Sequence, residues 1–480
     1  MITKLRLFLL YSFPAALFCS YFPLIPIGST ASANYELSLP LIWLFLFSIL
    51  SLKDFAKHLH SLYQKFLKQK SLSSLSPLLF YFFPAYLTLS TFWSSNLLRA
   101  ILTAGIFWCL IITGVVVFDV FRLKLINRQK FLKIFLLTSS VFCIICWLQS
   151  FLDVFGVERE ITLLCSGCTS YSFGFPHPSG LAIEPQFMGN LLLAPTLVII
   201  HLWIKPQDRF LPFSRRTIFL LSLLFSSTLF LTFSRGAIYS FILGFSLLFI
   251  LEIIKLKNRN IWRTLPLLLV SALVAIMAQG VFSALSPTNS TFLGGIEKSI
   301  SQMTLGKVNL TLEPKNNSIN TDQSTQEATP TAIETPVFSG YVEESTNVRL
   351  DLNRFALELF SKNARTLLFG YGLGSAGEIM YQEGKTTSPL EIVQNEYLSL
   401  LLETGLIGLL LAPLSLIIIL SLLKKTLGYS ERFLLYAILA SFLSSLLFFS
   451  GLPNALHVYL FPVFLAATLP TSSRKQLSSH

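Results

Sequence analysis

Long apolar runs alternate with short polar segments along the chain, and this pattern predicts its helices. A helix of about 20 apolar residues crosses the hydrocarbon core of a bilayer, so runs of this length are typical of transmembrane helices. A barrel needs short strands of alternating polarity, which the continuous runs exclude. We therefore predict an all-α integral membrane protein with twelve spans, at 8–28, 37–52, 75–93, 100–121, 131–152, 186–204, 217–233, 236–254, 264–283, 396–423, 431–450 and 455–471.

Lysine and arginine are concentrated in every second polar segment between these runs. The segments 53–70, 122–130, 205–216 and 255–263 are basic, whereas the segments between them carry few positive charges. Short loops rich in Lys and Arg remain on the cytoplasmic side of a membrane. The alternation therefore predicts that both termini are cytoplasmic.

The composition supports the membrane class and excludes others. Apolar residues make up 53% of the chain and charged residues 12%, with a mean hydropathy of +0.66. A soluble domain has roughly a quarter charged residues. The net charge of +12 comes from the basic loops, which lie against anionic lipid headgroups. Because no basic stripe with interleaved aromatic residues is present, we expect no nucleic-acid binding.

The predicted spans divide the chain into three parts. Residues 1–283 contain the first nine helices, 284–393 form a large external loop, and 394–480 contain the last three helices. Within the loop, 308–347 is rich in Ser, Thr, Asn, Pro and Glu, which predicts a flexible insertion. Apolar residues then recur at helical spacing, at Leu352, Phe355, Ala356, Leu359 and Phe360. We expect this second part of the loop to form a helical cap over the external membrane face.

Two short motifs concern processing and redox chemistry. Ala31-Ser32-Ala33 resembles a signal-peptidase site, but the preceding apolar stretch is longer than a usual signal-peptide core, so we expect an uncleaved first helix. Cys165 and Cys168 lie in a predicted external loop, where a local disulfide suits an oxidising compartment. A metal site at these cysteines needs two more ligands, for which the sequence offers no candidates.

Ionisable residues at the predicted external membrane face are the first candidates for chemistry, because a charge at membrane depth costs about 2.5–3.5 kcal/mol on insertion scales. Arg235 lies between two spans that almost no loop separates, with Ser234 and Gly236 on either side. It either binds an anion or extends its charge to the membrane surface. Glu184 begins another span, after a segment that contains His177. It either positions a hydroxyl, pairs with Arg235, or is solvated.

A third polar group opens the tenth span. Asn395 can cap the start of this helix, and Glu396 suits the positive end of the helix dipole. Gln394 precedes them, and Glu403 lies on the face of Glu396 two turns deeper.

Glycines are unusually dense over 369–377, and they include Gly372 and Gly374. Such a segment is either a tight turn or a loop whose backbone amides bind a diphosphate or a sugar. Gly384-Lys385-Thr386 ends like a phosphate loop, but the motif requires a glycine at the position of Ile379. It is therefore not a nucleotide site.

Four motifs together resemble the O-antigen ligase and O-antigen polymerase superfamily of bacterial membranes. They occur in family order, as Ser-Arg-Gly at 234–236, Arg349 with its helix, Phe-Gly-Tyr-Gly-Leu-Gly at 369–374, and Gln-Asn-Glu-Tyr-Leu at 394–398 followed by Glu-Thr-Gly-Leu-Ile-Gly at 403–408. The large loop before the late spans is also similar to that of the family.

The resemblance implies an inner-membrane glycosyltransferase that takes a glycan from undecaprenyl diphosphate on the periplasmic side. Ligases transfer the glycan to the lipid A core, and polymerases transfer it to a second lipid-linked glycan. The resemblance implies no metal or other cofactor. Arg235 and Arg349 match two arginines of the family that suit a diphosphate, which arginine binds through planar, bidentate donors. Gln394 and Glu396 lie in the motif of the catalytic base, and further substrate contacts are expected from Glu184, His177, Gly372, Gly374, Asn395 and Glu403.

One position departs from the family pattern. The family usually has histidine where this chain has Gln394, and glutamine does not accept a proton at neutral pH. Three readings follow. Either Glu396 or Glu403 is the base, or His177 or His457 replaces the missing histidine, or the reaction needs little base help or has been lost.

Two other functional classes remain as hypotheses. One is a transporter or lipid flippase, which typically shows internal repeats or paired broken helices. The sequence shows neither, and its polar residues gather at one membrane face. The other is a non-catalytic component of glycan assembly, which the departure at Gln394 keeps open.

Overall fold

The computed structural model describes most of the chain as helices. The described residues are 2–20, 24–30, 33–69, 77–122, 125–154, 170–172, 175–182, 184–205, 213–285, 292–303, 344–389, 391–424, 427–449 and 456–468. Among them, seven helices are long and apolar enough to cross a membrane, and Leu456–Thr468 is a shorter apolar helix. The chain is therefore a multi-pass membrane protein.

The described elements of the first half are six helices and two short hairpins. In chain order they are α1 (Ile2–Phe18), β1 (Leu24–Thr30), β2 (Ala33–Ser38), α2 (Leu39–Gln69), α3 (Phe82–Ser90), α4 (Leu97–Arg122), α5 (Arg128–Val154), β3 (Ser170–Ser172), β4 (Phe175–His177) and α6 (Pro185–Ile204). Strands β1 and β2 pair antiparallel, as do β3 and β4.

The described elements of the second half are all helices. Its helices are α7 (Arg215–Leu231), α8 (Arg235–Leu256), α9 (Thr264–Leu285), α10 (Phe292–Met303), α11 (Glu344–Phe360), α12 (Ala364–Phe369), α13 (Ala376–Gln382), α14 (Glu396–Lys424), α15 (Tyr429–Ser445) and α16 (Leu456–Thr468).

Helix α6 lies at the centre of the bundle. In its most apolar stretch 89% of residues are buried, against 39% for α8 and 28% for α14. A helix that is apolar on all sides is buried when other helices surround it, and α6 contacts α5, α7, α8, α15 and α16. The start of α6 is consequently fixed by several neighbours.

The predicted helix boundaries need three corrections. The first span, placed at 8–28, is wrong beyond Phe18, where α1 ends. The proline-containing segment Leu24–Thr30 that follows is a strand, because proline lacks the N–H that a helix interior needs. The predicted loop 53–70 is instead the continuation of α2, whose Lys- and Leu-rich sequence favours a helix. The two hairpins were not expected in an all-α protein.

Some predictions fall outside the described residues. These are Ala31, Ser32, Cys165, Cys168 and the predicted flexible insertion up to residue 343. Helix α11 begins at Glu344, three residues before the predicted return of order.

Helices α11 to α13, which we name the cap after the sequence prediction, share a small hydrophobic core with the first turns of α14. Leu352, Ala356 and Leu359 form the buried face of α11 and pack with Met380 and Leu402. The helical face predicted from these apolar positions is confirmed. Since Leu402 belongs to α14, the cap packs directly on the helix that carries Glu396.

Helices α8 and α15 pack unusually closely because of Gly244. A Cβ atom on this glycine would overlap the Ser441 hydroxyl and lie 2.6 Å from the carbonyl oxygen of Ala437. We expect Gly244→Ala to lower the free energy of unfolding by about 1–3 kcal/mol, the usual cost of overpacking. Thermal unfolding of the purified protein measures the change.

Gly105→Ala is the matched control, since a Cβ there has no neighbour within 4 Å. Alanine also has the higher helix propensity, so this variant should melt at or above the temperature of the wild type. Equal melting temperatures for the two variants would contradict the close packing.

Candidate functional site

A strained turn places Arg235 at the start of α8. Helix α7 ends at Leu231, and Phe233 has φ +50°. A bulky residue in this left-handed region costs about 1–3 kcal/mol, so its surroundings must hold it there. Gln279 donates from Nε2 to the Leu231 carbonyl at 3.1 Å, and the Ser234 side chain caps α8. Arg235 is the first helical residue and is half-buried.

His177 lies against this turn. Its ring stacks on that of Phe233, with a centroid distance of 5.5 Å and an interplanar angle of 23°. The Nε2 atom is buried and has no hydrogen-bond partner in the described part of the chain. Burial and the charge of Arg235 lower the pKa of His177 to about 4. The imidazole is therefore neutral at physiological pH.

The start of α6 is joined to the end of α15. Gln186 donates from Nε2 to the carbonyl oxygen of Phe448 at 2.9 Å. Phe448 also packs against α8, since a Cβ atom on Gly236 would lie 2.9 Å from the Cβ atom of Phe448. Glu184 occupies the N-cap position of α6 and is exposed. The exposed position agrees with the solvated reading of this carboxylate.

The start of α14 reaches the same end of α15. The Glu396 amide donates to the Leu446 carbonyl at 2.9 Å, and the Tyr397 hydroxyl donates to the Leu443 carbonyl at 2.7 Å. Asn395 accepts from the Tyr397 amide at 3.1 Å, which confirms the predicted helix cap. Gln394 is half-buried immediately before it.

Three helix N-termini therefore converge where α15 ends: those of α6, α8 and α14. The N-terminus of a helix carries a partial positive charge and unpaired N–H groups. Arg235 adds a full positive charge to this end. The arrangement suits a ligand with several negative charges, such as a phosphate or diphosphate.

The Glu396 carboxylate lies at the same end and is held by α16. The Tyr459 hydroxyl donates to Glu396 Oε1 at 3.5 Å. His457, on the same helix, is 2% exposed and stacks on Phe449 at 5.9 Å. The structure thus brings Glu396, His177 and His457 to the end of the bundle that carries Arg235.

Arg349 is half-buried on α11. It precedes Leu352 by three residues and Ala356 by seven, so it lies on the helix face that packs against α14.

The glycine-rich segment packs tightly against protein. The Gly372 amide donates to the Glu403 carbonyl at 2.8 Å, and a Cβ on Gly374 would lie 3.0 Å from the Ala100 amide. Glu403 is 9% exposed, and its Oε1 accepts from the Ala376 amide at 3.3 Å. These contacts favour the turn interpretation of the segment over a ligand-binding one.

Several residues of this region were missed by the sequence analysis. Gln186, Tyr459 and Arg99 carry no motif, and single polar residues near helix ends are common. The partner of Gln186 lies 262 residues away along the chain, and the partner of Tyr459 lies 63 residues away. Only the folded chain identifies such pairs.

A family model, described as O-antigen ligase, matches residues 220–413. This match supports the O-antigen ligase/polymerase superfamily. This match contains all four motifs from which the resemblance was predicted, and it confirms that prediction. No curated protein matches the chain.

The match supports a role as a membrane glycan-assembly enzyme of the ligase/polymerase type. The matched region runs from α7 into α14, and it includes Arg235, Arg349 and Glu403. His177 and Glu184 precede this region, so their placement beside it is known from the structure alone.

The low pKa of His177 predicts that the fold is sensitive to acid. Below pH 6.5 the unfolded imidazole takes up a proton, whereas the folded one remains neutral down to about pH 4. Stability contributed by neutral His177 is thus full above pH 6.5 and falls through this window, by about 3 kcal/mol at most. His177→Asn should lose less stability between pH 7 and pH 4 than the wild type, as measured by thermal unfolding.

The exposed His60 supplies the control. His60→Asn should follow the wild-type pH dependence. If His177→Asn also follows it, the protonation of His177 is not coupled to folding.

Proposed function

We propose that the chain transfers a glycan from an undecaprenyl-diphosphate-linked donor to an acceptor, at the end of the bundle where α6, α8 and α14 begin. The acceptor is the lipid A core for a ligase and a second lipid-linked glycan for a polymerase. The observation that carries this proposal is the convergence of three helix N-termini beside Arg235. We place this end on the periplasmic side, since it lies away from the basic segments.

Arg235 stabilises the leaving group in this proposal. When the bond between the sugar and the diphosphate breaks, negative charge develops on the diphosphate oxygens. A guanidinium donates two parallel hydrogen bonds to such oxygens. The tight turn at Phe233 fixes the start of α8, so the charge is in place before the reaction and costs little reorganisation. Arg349, on the cap, is the second arginine assigned to the diphosphate.

Glu396 is the proposed base. The oxygen of an acceptor hydroxyl attacks the anomeric carbon, its proton passes to the Glu396 carboxylate, and the diphosphate leaves with the electron pair of the broken bond. Tyr459 holds the carboxylate from the opposite side. Gln394, two residues earlier, provides an amide that can orient the acceptor but cannot take its proton. The lipid tails of both substrates lie in the surrounding membrane.

Glu184 and Asn395 flank this end as candidate contacts for sugar hydroxyls. Asn395 also caps α14, so its oxygen already accepts two backbone N–H groups. Its amide nitrogen is the atom left to donate to a sugar. His177 lies beside Arg235 and, being neutral, does not compete with the arginine for the diphosphate charge.

The first experiment offers purified protein a lipid-diphosphate-linked oligosaccharide together with either a core-lipid acceptor or a second lipid-linked unit. Products are resolved by gel and mass. We expect Arg235→Ala and Arg349→Ala each to lower the transfer rate by roughly 10²–10³-fold, the usual effect of removing one donor that stabilises developing charge. A ladder of repeats identifies a polymerase, and one discrete conjugate identifies a ligase.

Two exposed arginines serve as controls, Arg263 at the opposite end of α8 and Arg365 on the cap. Their alanine variants should transfer at the wild-type rate. Absence of transfer to either acceptor by folded wild-type protein that still binds the donor would instead support a non-catalytic component of glycan assembly. Movement of the donor across vesicles without transfer would support a flippase.

A further inference from the structure

Helix α14 is broken at Gly405, about two and a half turns after its candidate site residue Glu396. Gly405 has φ +66° and ψ −168°, which no α-helix contains. A break at this residue removes the intrahelical partners of the carbonyl groups that precede it. In a membrane protein, such carbonyls need other donors, since lipid supplies none.

The donors come from two distant parts of the chain. The Leu402 carbonyl accepts from the Tyr371 amide at 2.9 Å, and the Glu403 carbonyl accepts from the Gly372 amide at 2.8 Å. The Thr404 carbonyl accepts from the Tyr86 hydroxyl at 2.8 Å. Three successive carbonyls are thus satisfied by the glycine-rich segment of the cap and by α3.

The Glu403 side chain completes this connection. Its Oε1 accepts from the Ala376 amide at 3.3 Å, at the start of α13, and the Gly374 amide donates to the same carboxylate. Arg99, near the start of α4, lies close enough to attract the negative charge. A Cβ on Gly374 would lie 3.1 Å from the Arg99 Cγ, so the arginine stem packs against the loop.

We propose that Glu403 is a positioning residue that locks the first segment of α14, Glu396–Thr404, to the cap and to α4. The break at Gly405 separates this segment from the rest of α14, so the lock acts together with the bonds of Glu396 and Tyr397 to the end of α15 to fix where Gln394, Asn395 and Glu396 lie. The effect of the lock on catalysis rests on the proposed glycan transfer. The existence of the lock does not depend on that proposal.

The same geometry argues against Glu403 as the catalytic base. A base must reach the acceptor hydroxyl through a hydrogen bond. The Glu403 carboxylate is buried under the glycine-rich segment and accepts from two of its amides. Glu396, seven residues earlier, lies at the end of the bundle where Arg235 begins α8.

The test compares Glu403→Gln with Glu403→Ala in the full-length protein. Glutamine retains an oxygen that accepts from the Ala376 and Gly374 amides, whereas alanine does not. The primary readout is hydrogen–deuterium exchange over the peptide 366–382, which contains all the donating amides of the cap. We expect exchange to accelerate about tenfold in Glu403→Ala and to remain at the wild-type rate in Glu403→Gln.

The second readout is the transfer rate. Displacing a reacting group by about 1 Å can cost about 10²-fold in rate, so Glu403→Ala should lose about that much in kcat, with little change in KM for the donor. Glu403→Gln should retain most of the wild-type rate. The exposed Glu358 on α11 is the matched control, and Glu358→Ala should change neither readout.

Two results would overturn the proposal. One is an exchange rate over 366–382 in Glu403→Ala that equals the rate of the wild type. The other is a loss of transfer in Glu403→Gln equal to that in Glu403→Ala, while exchange in Glu403→Gln remains as slow as in the wild type. That result would identify Glu403 as a catalytic base. If the wild type itself transfers no glycan, the proposed function fails and the exchange comparison still decides whether the lock exists.

A glycine pair tests the break independently. A Cβ on Gly405 would overlap the Leu368 carbonyl, whereas one on Gly384, which has a nearly equal φ of +67°, has no neighbour within 4 Å. Both alanine variants place a side chain at a positive φ, and Gly405 combines it with ψ −168°, a region essentially restricted to glycine. Only Gly405→Ala should accelerate exchange over 366–382, and equal exchange in both variants would contradict the close docking of the cap on the break.

Discussion

A carbonyl group that loses its helical partner inside a membrane must find another donor, and this constraint organises the packing of the cap on α14. Helix α14 breaks at Gly405, and the carbonyls of Leu402 and Glu403 then accept from the glycine-rich segment of the cap. The cap is consequently bound to the bundle through backbone hydrogen bonds as well as through its apolar core. Positive φ values at Gly370, Gly372 and Gly374 allow the two backbones to approach this closely.

The end of α15 fixes the positions of the charged residues at the candidate site. Helices α6, α8 and α14 begin there, and each makes contact with the residues 443–448. Their N-termini and Arg235 bring positive charge to this end, where the carboxylates of Glu184 and Glu396 also lie. At the opposite end of the same helices, the buried Glu252 of α8 accepts from Ser430 of α15 at 3.1 Å. Helices α8 and α15 are therefore fixed at both ends.

Two features lie beside Arg235, a strained backbone at Phe233 and the neutral imidazole of His177. Phe233 occupies a backbone conformation that is unfavourable for an aromatic residue, and His177 covers its ring. A protonated histidine at this place would repel the arginine, so burial keeps the imidazole uncharged. The same burial makes this part of the fold sensitive to acid. The turn at Phe233 therefore fixes the position at which Arg235 begins α8.

The sequence by itself determined the membrane class, most of the helices and the superfamily, because apolar run length and short motifs are local properties of the chain. It also identified Asn395 as a cap, since capping involves residues two or three positions apart. It failed at residues 24–30 and at the hairpin that carries His177, where prolines and short polar stretches give weak signals. The tertiary structure alone decided that three helix starts meet, that Tyr459 holds Glu396, and that Glu403 accepts from the glycine-rich segment. Those contacts join residues far apart in the chain, so they depend on how the helices pack and not on any local pattern.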